Sequence, residues 1–253
     1  MLVPHKESIR IADDIKVVVP ASNALLTPFV LKEQGDWFED EIRFIRRLIE
    51  PTMSIVDIGA SYGLYALSCA KKAEKGKIWA FEPTGTVADC LQDSITANAL
   101  SNIQLVQAAL SNRDGKARLC LNENSEVNSL SSACSEDGHY ETIVVRKLDS
   151  CASDFKWECL DFIKLDAEGE ELRVLEGGQK TLARLSPIVM YELKHLDDFN
   201  FSLINKFQSY GYDSYYLLPG PMVLVPFDID TGVDPYQINL FAMKEKSAEK
   251  LMS

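Results

Sequence analysis

The apolar and polar positions of this chain fall into short, nearly unbroken apolar runs separated by longer stretches with helical spacing. Ser54 to Ile58 (S-I-V-D-I) and Lys77 to Phe81 (K-I-W-A-F) are of strand length and rich in β-branched and aromatic residues, as expected of parallel strands covered on both faces. Ile103 to Gln107, Gly115 to Leu121, Thr142 to Arg146, Leu160 to Leu165, Pro187 to Leu193, Tyr212 to Leu218 and Gln237 to Met243 read as further extended segments. Between them, Trp37 to Ile49 sets Trp37, Phe38, Ile42, Phe44, Ile45, Leu48 and Ile49 against arginines, an amphipathic helix that Pro51 ends. Leu64 onward, Gly85 to Ala99 and Phe199 to Tyr210 also have helical spacing, and Leu172 to Leu185 gives short helices interrupted at Gly177-Gly178. Strands alternating with helices predict an α/β fold with a parallel sheet.

Residues 1 to 35 (I-K-V-V-V-P, then L-L-T-P-F-V-L) read as short strands that lead in or act as a lid, 36 to 245 as the main domain, and 246 to 253 as a charged tail. The polar stretch at 122 to 138 reads as an active-site loop or a solvated one.

Ligands of open α/β sheets sit at the carboxyl ends of the strands, so Asp57, Glu82, Asp166 and His195 are expected around one crevice. The first strand runs into I-G-A-S-Y-G-L-Y, where Gly59 permits a backbone barred to other residues and Gly63 clears space for a ligand at the first helical turn. A dinucleotide fingerprint needs G-x-G-x-x-G, whereas the order here is D-x-G-x-x-x-G. An acidic group beside the turn suits the ammonium of an amino-acid moiety such as that of S-adenosylmethionine, and Glu82 in F-E-P, at the second strand's end, suits two ribose hydroxyls. The bland alternative is a glycine turn of the kind common in α/β proteins.

Composition narrows the partners. With 253 residues, 46% hydrophobic and 25% charged, the chain suits one packed domain. A net charge of -12 opposes capture of a phosphate backbone, so nucleic acid is not an expected partner. No apolar run reaches membrane-span length and no signal peptide stands out, so a cytoplasmic location is expected. Six cysteines without a C-x-x-C pair read as reduced thiols, most of them small buried hydrophobes.

Several motifs, in order, resemble the FkbM family of S-adenosylmethionine-dependent methyltransferases over about residues 36 to 245. V-D-I-G-A-S-Y-G-L-Y resembles its cofactor loop, F-E-P its ribose motif, and A-A-L-S-N-R-D-G (108 to 115) the block after its third strand. I-K-L-D-A-E-G-E-E-L-R-V-L-E-G-G resembles its K-x-D-x-E-G-x-E signature, and Glu192 follows in place. Ser61 stands where Asn is frequent. The resemblance implies a doubly wound, Rossmann-like, seven-stranded class I methyltransferase sheet with a reversed terminal strand. It also implies cofactor contacts from Asp57, Gly59, Ser61, Gly63, Glu82, Ala109 and Asp166, and O-methylation of a hydroxyl on a glycan, glycolipid or secondary metabolite.

Methyl transfer needs an aligned acceptor and a base for its proton. His195 is the expected general base. Asp166 and Glu168 are expected to orient the acceptor, act as base, or hold a divalent metal such as magnesium with His195, the structural alternative being helix capping. Glu170 and Glu171 read as a solvated helix face, and Tyr62 and Tyr65 as core. An N-methyltransferase and a non-catalytic S-adenosylmethionine-binding protein are the rival readings.

Overall fold

The computed structural model describes residues 5–121, 140–195, 198–228 and 239–252; the side chains of 194, 195, 198, 199, 250 and 252 lie outside this description, as does the polar stretch at 122 to 138. The strands are β1 (Lys6–Ile11), β2 (Ile15–Pro20), β3 (Ser54–Ile58), β4 (Lys77–Phe81), β5 (Ile103–Val106), β6 (Ala109–Leu110), β7 (Gly115–Cys120), β8 (Tyr140–Arg146), β9 (Phe162–Leu165), β10 (Ile188–Glu192), β11 (Lys194–His195), β12 (Asp198–Phe199), β13 (Asp213–Leu218), β14 (Val223–Pro226) and β15 (Asn239–Met243). The helices are α1 (Leu26–Gln34), α2 (Asp40–Leu48), α3 (Leu64–Lys72), α4 (Gly85–Ala97), α5 (Leu148–Asp154), α6 (Glu171–Gly177), α7 (Gln179–Leu185), α8 (Phe201–Ser209) and α9 (Glu245–Met252).

Eight strands form the central sheet in the order β14-β13-β15-β10-β9-β3-β4-β5. The five from β10 to β5 are parallel, and β15 runs antiparallel between β10 and β13. This is the expected doubly wound, Rossmann-like arrangement with its reversed strand, extended by β14, which pairs antiparallel on the outer edge of β13. All five residues of β3 are buried, because helices cover both of its faces. Ile55, Ile78 and Phe162 face the core shared with α2, α3 and α4. Their neighbours Val56, Trp79 and Ile163 face the opposite core, with α5 to α8, as the two-residue period of a strand requires.

Chain order reverses between β3 and β9: β4 and β5 are laid down on one side, β9 and β10 on the other. The crevice at the carboxyl ends therefore opens at this switch point.

Two expectations, on the L-L-T-P-F-V-L segment and on the cysteines, are corrected, and two, on the charged tail and on the strands after β6, gain detail. The L-L-T-P-F-V-L segment is helical in α1, because Pro28 sits in the first turn, where a missing N–H leaves no bond unmade. The charged tail is helix α9, with Ala248 packed into the core. The segments around β7 and β8 leave the main sheet and form a three-stranded one with β6. Cys120 is disulfide-bonded, while Cys69, Cys90, Cys151 and Cys159 are free; a search for C-x-x-C cannot detect cysteines that only the fold brings together.

Residues 5–35 are part of the same body. Ile15, Val17 and Val19 are fully buried, Val18 N–H donates to Ser94 Oγ at 2.8 Å, and Lys16 N–H donates to Asn98 Oδ1 at 2.9 Å. Among the described residues, no helix is long and apolar enough to cross a membrane.

Candidate active site

The loop leaving β3 is set by backbone contacts. Gly59 has φ +72, and a Cβ there would lie 1.8 Å from the Asp166 carbonyl oxygen, so the two strand exits touch without room for a side chain. The Gly59 and Ala60 N–H groups both donate to Phe81 O, at 3.0 and 2.9 Å. Ser61 follows with φ 49, and its N–H donates to Glu82 Oε2 at 3.0 Å. Thr84 N–H donates to Glu82 Oε1 at 2.8 Å. Both carboxylate oxygens of Glu82 are thus engaged, the Thr84 side chain adds a further hydrogen bond to this carboxyl, and Glu82 lines the crevice.

A cavity of about 360 Å³ opens beside this loop, within the size range that holds a small ligand. Of the residues singled out in the sequence, Gly59, Ser61, Glu82, Ala109, Asp166 and Glu168 line it, together with Glu192. Three are placed otherwise. Asp57 is 1% exposed and sits behind the wall. Gly63 is also off the wall: a Cβ there would meet Leu91 Cδ1 at 2.3 Å, so its missing side chain serves the packing of α3 on α4, not the approach of a ligand. The His195 backbone lies in β11, and its side chain is outside the described residues.

Lys164 is the charge hub. Its ammonium donates to Asp166 Oδ2 at 2.7 Å and to Gly59 O at 3.3 Å, and it lies 5.5 Å over the Tyr65 ring. Burial opposes its charge, but Asp166 and Asp57 outweigh that and raise its pKa. The register sets Lys164 beside Asp57 across β9 and β3. Apart from a loose approach by the Ala66 amide, neither Asp57 oxygen has a partner among the described residues. Burial pushes the Asp57 carboxyl up to about 6, against the pull of Lys164.

The carboxyls around the cavity share this shift. Burial pushes Glu82 up to about 7 despite the Thr84 and Ser61 amides. Burial and then Asp166 push Glu168 up to about 7, and burial followed by Asp166 and Glu168 pushes Glu192 up to about 9. Glu39 is raised by burial while donation from the Tyr65 hydroxyl opposes it. Among the described residues, the wall carries Glu39, Glu82, Asp166, Glu168, Glu170 and Glu192 against one lining cation, Lys164, so the cavity favours a ligand bearing positive charge.

Glu170 and Glu171 are not a solvated face. Glu171 is 4% exposed, and its Oε1 accepts the N–H groups of Ala167 and Gly169 at 2.8 and 3.1 Å. This clamps a turn in which Glu168 has φ 48 and Gly169 φ 93. Glu170 accepts the Ser111 hydroxyl at 2.7 Å. Tyr62 is core, as expected, at 1% exposure, while Tyr65 is buried and also forms wall. The sequence reading missed Glu39, Thr84 and Asn239 as wall residues; only Asn239 carried a signal, a polar residue opening a buried strand. Among the described residues, no group of three or more His, Cys, Asp or Glu is placed to hold a metal ion.

Residues 57–214 match the FkbM methyltransferase domain, more than half of the chain. The chain belongs to the FkbM methyltransferase family. It is 30% identical over 154 residues to the methyltransferase sdnD of Sordaria araneosa, covering 49% of this chain and 59% of that protein. The chain thus spans about three fifths of the curated relative's length. The crystal structure of methyltransferase FkbM from Methylobacillus flagellatus KT superposes with a TM-score of 0.53 at 19% identity, over 77% of this chain and 44% of that one, a likeness of fold. The matched region contains the β3 loop, Glu82, the Lys164 cluster and Glu192.

Proposed function

We propose that this FkbM protein is an S-adenosylmethionine-dependent O-methyltransferase acting on a hydroxyl of a glycan, glycolipid or secondary metabolite. One observation carries the reading: a cavity at the sheet's switch point, walled by six carboxyls and one ammonium, inside the family-matched region. A sulfonium is a cation, and S-adenosylmethionine supplies an activated methyl group to a nucleophile aligned with it. Glu82, fixed by the Ser61 and Thr84 amides, presents its remaining lone pairs to the ribose hydroxyls. Gly59, Ser61 and Ala109 line the same cavity. Lys164 pairs with Asp166 and Arg173 with Glu170, which leaves Glu39, Glu82, Glu168 and Glu192 without an ion-pair partner among the described residues.

Asp57 acts from behind the wall, through its charge on Lys164 and the loop. Glu168, pushed up to about 7, is matched to taking a proton near neutral pH. His195 is the second base in this reading, at the exit of β10 through β11. No step requires magnesium.

Calorimetry with S-adenosylmethionine and with NAD tests the cofactor, and a mass gain of one methyl across hydroxylated acceptors tests the reaction. Binding of NAD alone would overturn the reading. His195→Ala is expected to keep cofactor affinity and slow transfer about 100-fold; unchanged turnover would leave Glu168 as the base.

A further inference from the structure

We propose that Glu192 and Asn239 form the acceptor subsite of the crevice, a pair of hydrogen-bonding groups that selects an uncharged hydroxyl acceptor over an anionic one. The inference rests on the cofactor assignment above, which places the methyl donor against the β3 loop and leaves the β10 and β15 side of the cavity for the acceptor.

Register sets the two residues directly opposite each other, Glu192 ending β10 and Asn239 opening the antiparallel β15. Both line the cavity. Asn239 is 6% exposed, and its Nδ2 has no hydrogen-bond partner among the described residues. Buried polar groups are nearly always paired, and an exception on the wall of a cavity points to a ligand or a bound water. Nor does any hydrogen bond reach the Glu192 carboxyl among the described residues. The nearest cation, Lys164, is already committed to Asp166 and Gly59 O.

The ionisable groups facing Glu192 are Asp166, Glu168 and Glu171, with Lys164 the one that opposes them. With burial added, they push Glu192 up to about 9, so it carries its proton at neutral pH. A protonated carboxyl both donates and accepts, and the amide adds a donor beside it. That set matches a hydroxyl with a neighbouring oxygen, as in a vicinal diol. An acceptor bearing a carboxylate or phosphate would meet Asp166 and the rest of the acidic wall with no free cation among the described lining residues to neutralise it.

The test has two readouts. Infrared difference spectra of the unliganded protein against Glu192→Gln are expected to show a protonated-carboxyl band at pH 7 that fades with a midpoint near pH 9. No such band at pH 7 overturns the proposal. Labelled methyl transfer is then compared for octyl glucoside and octyl glucuronate, after calorimetry has shown that the variants bind S-adenosylmethionine as the parent does. The glucoside is expected to react at least about 10-fold faster, with Glu192→Ala raising KM about 10-fold with a smaller change in kcat and Glu192→Gln, which keeps one donor and one acceptor, raising KM by less than that. The parent's rate is expected to fall as pH rises through about 9, and that of Glu192→Gln to show no such fall. A glucuronate rate equal to or above that of the glucoside, transfer to neither with cofactor bound, or an unchanged KM in Glu192→Ala overturns the proposal. Absence of S-adenosylmethionine binding in the parent counts against the cofactor assignment alone, because the infrared band is read without either ligand.

Discussion

The wall made by the loop after β3 and the wall made by the ends of β9, β10 and β15 differ in how their polar groups are satisfied. On the first, Gly59, Ala60 and Ser61 place every named amide on a fixed acceptor, and Glu82 receives two N–H groups. On the second, Glu168 and Glu192 crowd around one Lys164–Asp166 pair, and the Asn239 amide nitrogen has no partner among the described residues. The first wall is preorganised before a ligand arrives, which keeps the ordering cost of binding small. The second holds unmet hydrogen-bonding capacity that only a ligand completes. Binding is therefore expected to depend on the first wall's shape and selectivity on the second wall's protonation.

The largest effect expected is on the first wall. Gly59→Ala puts a methyl 1.8 Å from the Asp166 carbonyl at φ +72, and strain plus overpacking amount to roughly 3–5 kcal/mol. At about 2–4 °C per kcal/mol for a chain of this size, the melting midpoint falls by about 10 °C and cofactor binding is lost. Gly63→Ala sharpens the contrast: its clash is with the Leu91 side-chain tip, which can move. Scanning calorimetry is expected to show a smaller loss, about 1–2 kcal/mol, with affinity retained. Equal losses of affinity in both variants would break the distinction drawn between a wall glycine and a packing glycine.

Protonation gives the next effect, and its sign is opposite to ordinary acid lability. Glu82 is raised from 4.5 to about 7 by burial, so the folded protein holds this proton more tightly than the unfolded chain does. Its contribution is fully present below pH 4.5 and is lost as pH rises through about 7, roughly 3 kcal/mol for the shift. Glu168, also pushed to about 7, and Glu192, pushed to about 9, act in the same direction. The unliganded protein is expected to melt at a lower temperature at pH 8 than at pH 5, and Glu82→Gln to flatten part of that slope. A cationic ligand favours the ionised carboxyls, so calorimetry in buffers of different ionisation enthalpy is expected to show proton release on S-adenosylmethionine binding at pH 7. A melting midpoint that rises with pH would contradict the burial assigned to these groups.

The same contrast explains what the sequence made legible. β3 at Ser54–Ile58 and β4 at Lys77–Phe81 form where the apolar runs predict them, and Gly59, Ser61, Glu82 and Ala109 reach the cavity because a strand–loop–helix unit fixes them locally. Asp57 and Gly63 belong to the same motif, but one side chain turns behind the wall and the missing one faces α4, a choice that short-range pattern does not encode. Glu171 read as solvent-facing because a run of acids has no visible partner in sequence; its partners are backbone amides two and four residues earlier, exposed only by the left-handed turn at Glu168 and Gly169. Glu39 and Asn239 lie far from the motifs, and tertiary packing alone brings them to the cavity.

Glu82→Ala tests the first wall's polar function with a smaller effect. Removing the carboxylate frees the Ser61 and Thr84 amides and deletes the acceptor proposed for the ribose, so S-adenosylmethionine affinity is expected to drop about 30-fold or more. Unchanged affinity by calorimetry would move the ribose elsewhere in the cavity.

The smallest effect concerns Ser61. Its φ of 49 is left-handed, a conformation that asparagine tolerates better than serine, and its backbone N–H, not its hydroxyl, holds Glu82. Ser61→Asn is therefore expected to stabilise the loop by about 0.5 kcal/mol, a rise of roughly 1–2 °C in melting midpoint, and to leave cofactor affinity within a factor of two. Ser61 lines the cavity, so the two walls predict different outcomes. If the residue contributes shape through its backbone, as the rest of the first wall does, asparagine passes unnoticed by the ligand. A clear gain or loss in affinity without a change in stability would show the Ser61 hydroxyl acting as a ligand contact, and would place this residue with the hydrogen-bonding groups of the second wall.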